Sequence, residues 1–236
     1  MKTEAVGYRD GTVNLEGYVA YPDGGGRRPG VLVVHEWWGH NAYVRQRAEM
    51  LAGLGYVGFA VDLFGKGVTA ATTDEAGKLY QAVMSDRRVA QGRIAAALDM
   101  IRANPAVDPA MLVCLGYCMG GTVALDLARS GAELRGAVSF HGALATPTPA
   151  KKGSIKCPVL VLHGADDPMV TPDQVKGFRD EMRSAGADWQ FHEYGGARHA
   201  FTNPAANLPQ HGILYDAAAD RRSWEVMQTF LSEVFA

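Results

Sequence analysis

Residues 111–121 read MLVCLGYCMGG, and the stretch from Gly121, GTVALDLARS, continues in a helical pattern. A short apolar run, a glycine-flanked turn and a helix follow one another without a gap. That order is the context of a nucleophile elbow, G-x-S-x-G, in which a serine stands on a sharp strand-to-helix turn. Here Gly116-Tyr117-Cys118-Met119-Gly120 has the spacing, with a cysteine at its centre. The tight turn needs small flanking residues so that the backbone can fold back, and Gly116 and Gly120 provide them. Such a turn holds a thiol clear of the sheet at a helix N-terminus, where the helix dipole favours the nucleophilic thiolate form. Cys114, inside the apolar run, and Cys157, before Pro158, read instead as small buried residues.

Outward from the elbow the chain alternates. Apolar, β-branched runs stand at 31–35 (VLVVH), 56–62 (YVGFAVD), 135–140 (RGAVSF), 158–164 (PVLVLHG) and 189–194 (WQFHEY). Runs apolar on both faces are what a parallel sheet covered by helices requires. Helical patterns fall between them at 43–54, 87–103 and 121–130, the last stopped by Gly131. Another opens at Thr171-Pro172-Asp173-Gln174, an N-cap with proline at the first helical position and a Gln three residues on. A final one runs from about Asp216 to Val234, and the segment from Glu4 to Tyr21 reads as a β-hairpin turning at Asp10-Gly11. The expectation is a single doubly wound α/β domain spanning 1–236. Its sheet is mostly parallel, and its active-site loops lie at the carboxyl ends of the strands.

Bulk properties narrow the function. The 236 residues are 47% hydrophobic and 20% charged, with net charge −2, so no basic face for nucleic acid and no polybasic membrane patch is expected. No apolar stretch approaches the roughly 20 residues of a membrane span. The opening MKTEAVGYRDG does not read as a signal peptide, and three widely spaced cysteines form neither a disulfide framework nor a metal-ligand pattern. A cytoplasmic setting is expected, with a small-molecule substrate and no metal or cofactor.

A thiol nucleophile needs a base, and the base needs an orienting acid. The run PVLVLHG leads into Asp166-Asp167, and Gly195-Gly196-Ala197-Arg198-His199 puts a histidine on a loop after the last run. The order Cys…Asp…His is that of α/β-hydrolases. Asp167 is taken as the acid and Asp166 as a turn or capping residue. His40, His141, His163, His192 and His211 read as packing or loop residues, since none shows the H-E-x-x-H spacing of a metal site. His35-Glu36-Trp37-Trp38-Gly39 also leaves a strand at its carboxyl end. Glu36 there is either a surface ion-pair partner or a carboxylate reaching the thiol, because burying it alone is unfavourable.

Taken together and in this order, HEWWG, LGYCMGG, HGADDPMV and GARHAF resemble the dienelactone hydrolase family, over nearly the whole chain. The resemblance implies an α/β-hydrolase fold, with Cys118 as nucleophile, His199 as general base and then acid, and Asp167 holding the imidazole tautomer. It also implies an oxyanion hole from the backbone N–H groups of Trp37 and Met119. Glu36 would contact the resting thiol and help control when it ionises.

Two departures matter. The family's namesake enzymes grip a substrate carboxylate with two arginines, and the matching positions here are Asn203 and, in the helical insertion before Lys78, Thr73. Each lost charge-assisted hydrogen bond is worth about 1.5–3 kcal/mol to an anionic substrate. Unless Arg87, Arg88 or Arg198 compensates, a pocket lined by Trp37, Trp38, Phe64 and Phe201 suits neutral esters or lactones, aryl phosphotriesters included. The alternatives are a carboxymethylenebutenolidase acting on an anionic enol-lactone and, more remotely, a non-catalytic binding module on this fold. Oligomeric state is left open.

Overall fold

The computed structural model describes residues 1–236 and arranges them around one eight-stranded sheet. The strands are β1 (Lys2–Asp10), β2 (Val13–Tyr21), β3 (Arg28–Val34), β4 (Val57–Val61), β5 (Val107–Tyr117), β6 (Gly136–Phe140), β7 (Val159–Gly164) and β8 (Trp189–Tyr194). Their order is β1-β2-β4-β3-β5-β6-β7-β8. β3 to β8 run parallel, while β1 and β2 form the expected antiparallel hairpin, with β2 antiparallel to β4.

Helices α1 (Ala42–Gly53), α2 (Thr73–Met84), α3 (Arg87–Arg102), α4 (Met119–Arg129), α5 (Pro172–Ala185) and α6 (Ala217–Val234) cover both faces. Alternation along β3 sorts the core: Val31 and Val33 pack with Val44 and Leu51 of α1 and Phe230 of α6. Leu32 and Val34 share the opposite core with Ile94 of α3, Val123 of α4 and Phe178 of α5. The runs are apolar on both faces because each face meets its own helical layer. This is an α/β-hydrolase fold.

Local signals hold at the helix ends. Thr171 and Gln174 form a reciprocal capping box at the start of α5, and Gly186 ends that helix in the left-handed conformation. Two features lack a periodic signal. β5 begins at Val107, four residues before its apolar run, and a two-stranded hairpin, β9 (Asn207–Leu208) with β10 (Ile213–Leu214), lies between β8 and α6. No helix is long and apolar enough to cross a membrane.

Strand order reverses at β3, with β4 on one side and β5 on the other. The loops leaving β3 and β5 therefore open into one crevice, the switch point where open α/β sheets bind ligands. Val34 pairs with Gly116, so His35-Glu36-Trp37 and the Cys118 turn leave the sheet side by side.

Candidate active site

Cys118 stands between β5 and α4 at φ 54°, ψ −117°, a region that side-chain-bearing residues rarely occupy. Glycine is required on both sides. A Cβ on Gly116 would lie 2.2 Å from the Gly120 carbonyl carbon, and one on Gly120 would lie 2.2 Å from the Val34 oxygen. The elbow is thus pressed onto the end of β3. Its backbone N–H at Cys118 donates to the Phe140 carbonyl at 3.0 Å and to Nδ1 of His141 at 3.1 Å. His141 passes the tie on through Nε2 to the Thr202 hydroxyl at 2.7 Å. Burial, then the nearby His199, hold the pKa of His141 well below the usual range, so its ring stays neutral.

His199 bridges the thiol and a carboxylate. Its Nε2 lies 3.0 Å from Cys118 Sγ and its Nδ1 2.8 Å from Asp167 Oδ2. Asp167 is buried and its other oxygen accepts the Met169 N–H at 2.8 Å. Asp166 is exposed and its backbone N–H donates to the Ala197 carbonyl, tying the two loops together. Burial works against a charged His199, but contact with Cys118 and Asp167 outweighs it and raises the pKa well above its ordinary value. The backbone of His199 is pinned by the short hairpin: its N–H donates to Gly212 and its carbonyl accepts from Leu214, each at 3.0 Å. In chemical terms, a thiol, an imidazole and a carboxylate form one hydrogen-bonded line with Sγ at its open end.

Glu36 is buried in the loop after β3, where Asn203 Nδ2 donates to its Oε2 at 2.5 Å and Oε1 has no partner. Burial pushes its pKa up to about 7, the Asn203 hydrogen bond opposing it. The Trp37 N–H donates to no acceptor in the chain, and the Met119 N–H, first in α4, has no carbonyl one turn back in its helix. Cys114 and Cys157 are buried as expected, and burial pushes the Cys157 thiol up to about 11.

These groups meet in a cavity of about 970 Å³ lined by 27 residues, among them Glu36, Trp37, Trp38, Cys118, Met119, His199 and Asn203. None of the 27 is lysine or arginine. Arg87 is spent on Asp126, Arg88 on Asp86 and Arg198 on the Pro209 carbonyl, so no substitute cation faces the cavity.

Two expected wall residues lie elsewhere. Phe64 is turned inward because Asp62 Oδ1 accepts its N–H, and its ring packs edge-on against His35 at 4.7 Å. Phe201 follows Ala200 at φ 56°, a kink that sends its ring under His141 and Tyr194. Sequence reading missed Tyr43 of α1, Met169, and the face of α2 that carries Gly77, Tyr80 and Gln81 beside Thr73. The signal for that face was present, since 73, 77, 80 and 81 follow helical spacing.

Comparison with known proteins gives the family and the fold. Residues 15–235 match the dienelactone hydrolase family. The chain is similar to the solved structure m3DLH, with 39% identity, a TM-score of 0.94 and coverage of 100% of this chain and 99% of that one. It is likewise similar to a dienelactone hydrolase-like promiscuous phosphotriesterase from metagenomic libraries, with 38% identity, a TM-score of 0.93 and the same coverage. Protein usf of Aquifex pyrophilus is 29% identical over 235 residues, covering 98% of each chain.

Proposed function

The chain belongs to the dienelactone hydrolase family of hydrolases, and from that premise we propose that it cleaves neutral esters or lactones, aryl phosphotriesters included, through a covalent Cys118 intermediate. His199 Nε2 takes the thiol proton as Sγ attacks the electrophilic carbon. Asp167 accepts from Nδ1–H, holding the tautomer and stabilising the imidazolium that forms. The backbone N–H groups of Trp37 and Met119 receive the oxyanion of the tetrahedral intermediate. Collapse of that intermediate breaks the C–O bond, and the alcohol leaves with the proton from His199. A water molecule then gives a proton to His199 and attacks the thioester, releasing the acid and restoring the thiol. With a triester the same sequence runs at phosphorus, and hydrolysis of the S–P bond is the demanding step. The expected contact of Glu36 with the resting thiol is not formed, since Sγ lies against His199 and Glu36 Oε1 has no partner. Glu36 therefore acts on the site through its charge rather than by a hydrogen bond to sulfur.

The observation that carries the substrate class is the cavity wall without a lysine or arginine. A carboxylate-bearing lactone entering it would exchange hydration for no cation and would face Glu36. Similarity to a promiscuous phosphotriesterase supports the inclusion of triesters.

The test is kcat/KM on a neutral aryl ester, a neutral aryl phosphotriester and a carboxylate-bearing enol-lactone, with Cys118→Ala as the blank. Faster turnover of the neutral substrates with an inactive blank is expected. A preference for the anionic lactone would overturn the substrate class, and an active blank would overturn the nucleophile.

A further inference from the structure

We propose that His35 is a positioning residue of the oxyanion hole: its ring fixes the plane of the Glu36–Trp37 peptide so that the Trp37 N–H faces the reacting centre. The inference rests on the reading of Trp37 and Met119 as the oxyanion donors.

The hydrogen bonds of the ring determine its tautomer. His35 is buried at the end of β3, with 1% of its surface exposed. Its Nε2 accepts the backbone N–H of Leu63 at 3.1 Å, so that nitrogen carries no proton. In a neutral imidazole the single proton then sits on Nδ1. Nδ1 lies 2.5 Å from the Glu36 carbonyl oxygen and is the donor there. Burial lowers the pKa of His35, which keeps the ring in this neutral form, and the edge-on Phe64 ring fixes where it stands.

The same carbonyl takes a second hydrogen bond from the Gly39 N–H at 3.2 Å. The Glu36–Trp37 peptide cannot rotate without loosening both. In a trans peptide the C=O and N–H lie in one plane and point in opposite directions, and the chain contains no cis peptide bond. Clamping the Glu36 oxygen toward His35 therefore turns the Trp37 N–H away from it. That N–H has no acceptor in the chain, and Trp37 and Cys118 line the same cavity. A donor held in place before the charge develops needs no reorganisation during the reaction, which is what makes such donors effective.

Three variants separate this role from simple packing. In His35→Asn the side-chain amide reaches the place of Nδ1 and keeps the donor to Glu36. In His35→Gln the longer amide reaches the place of Nε2, keeping an acceptor for Leu63 and losing the Glu36 donor. His35→Leu loses both. Two rates are measured on each full-length protein: pre-steady-state acylation by a neutral aryl ester, and alkylation of Cys118 by iodoacetamide. Alkylation is attack at a saturated carbon and needs no oxyanion hole.

The expected result is acylation slowed roughly tenfold or more in His35→Gln and His35→Leu, with His35→Asn within about fivefold of wild type and alkylation within about twofold in all three. If His35→Leu does not fold, the Asn and Gln pair alone decides. Acylation in His35→Gln equal to or faster than in His35→Asn would overturn the proposal, as would acylation and alkylation falling together. If Cys118→Ala still turned over the ester, the nucleophile reading would fail first and this inference with it.

Discussion

Asn203 Nδ2 donates a 2.5 Å hydrogen bond to Glu36 Oε2, so the one acidic side chain lining the cavity is met by a neutral amide. A cation at position 203 would hold that carboxylate charged. An amide leaves burial to dominate, and the pKa of Glu36 rises to about 7.

That shift makes stability depend on pH with a definite sign. Between the ordinary carboxylate range and about 7, folded Glu36 keeps a proton that the unfolded chain has lost. Stability from this group is therefore complete below that window and is lost as pH rises through it. Glu36→Gln removes the titration. Urea unfolding at pH 5 and pH 8 should show wild type losing more stability than Glu36→Gln, by on the order of 1–3 kcal/mol. Parallel losses in the two proteins would mean that Glu36 does not titrate in this range.

The two neighbouring aspartates should behave oppositely. Asp167 bonds His199 Nδ1, whereas Asp166 is exposed on the loop surface. Asp167→Asn would favour the wrong imidazole tautomer and should lower kcat about 10³-fold or more on a neutral aryl ester. Asp166→Asn should stay within about threefold of wild type, as surface substitutions generally do. Equal effects would remove Asp167 from its assigned role.

Thr73 begins α2 and lines the cavity, where the expected substrate-gripping arginine of the family would be replaced by a neutral side chain. Thr73→Arg should raise kcat/KM for a carboxylate-bearing lactone, relative to a neutral ester, by roughly tenfold or more through a charge-assisted hydrogen bond. No change in that ratio would show that the missing cation does not set the preference.

Gly77 sits in the middle of α2, facing the cavity, and a Cβ built there meets nothing within 4 Å. Gly77→Ala should stabilise the protein by about 0.5–1 kcal/mol in a thermal melt, because glycine is unfavourable inside a helix. Gly77→Phe would fill the space. It should lower the kcat/KM ratio of a diethyl aryl phosphotriester to an aryl acetate roughly tenfold, a large part of what contact with a bulky substituent can contribute. A constant ratio would mean that Gly77 does not limit substrate size.

Much of this was legible in the chain itself. The elbow was, because its glycine spacing is complete within five residues, although only Gly116 answers a clash inside the turn while Gly120 answers Val34 at the end of β3. The strands and most helices were, because both-face apolar runs and helical periodicity follow from backbone geometry. The start of α5 was, because a capping box closes within four residues. The order Cys118, Asp167, His199 was also readable, since each follows a strand and strand ends share one edge of the sheet.

What lay outside it required the third dimension. Phe64 and Phe201 were placed in the cavity by their neighbourhood in sequence, but one loop hydrogen bond and one backbone kink turn their rings into the protein. Whether Arg87, Arg88 and Arg198 were free could be known only from their partners. The Asn203 bond to Glu36 joins residues 167 positions apart, and the His35 tautomer depends on Leu63, 28 positions away. Local sterics and periodicity act over a few residues and leave their mark on the sequence. The direction of a loop side chain, and the partner that sets its charge, are decided only when distant strand ends are brought into hydrogen-bond distance.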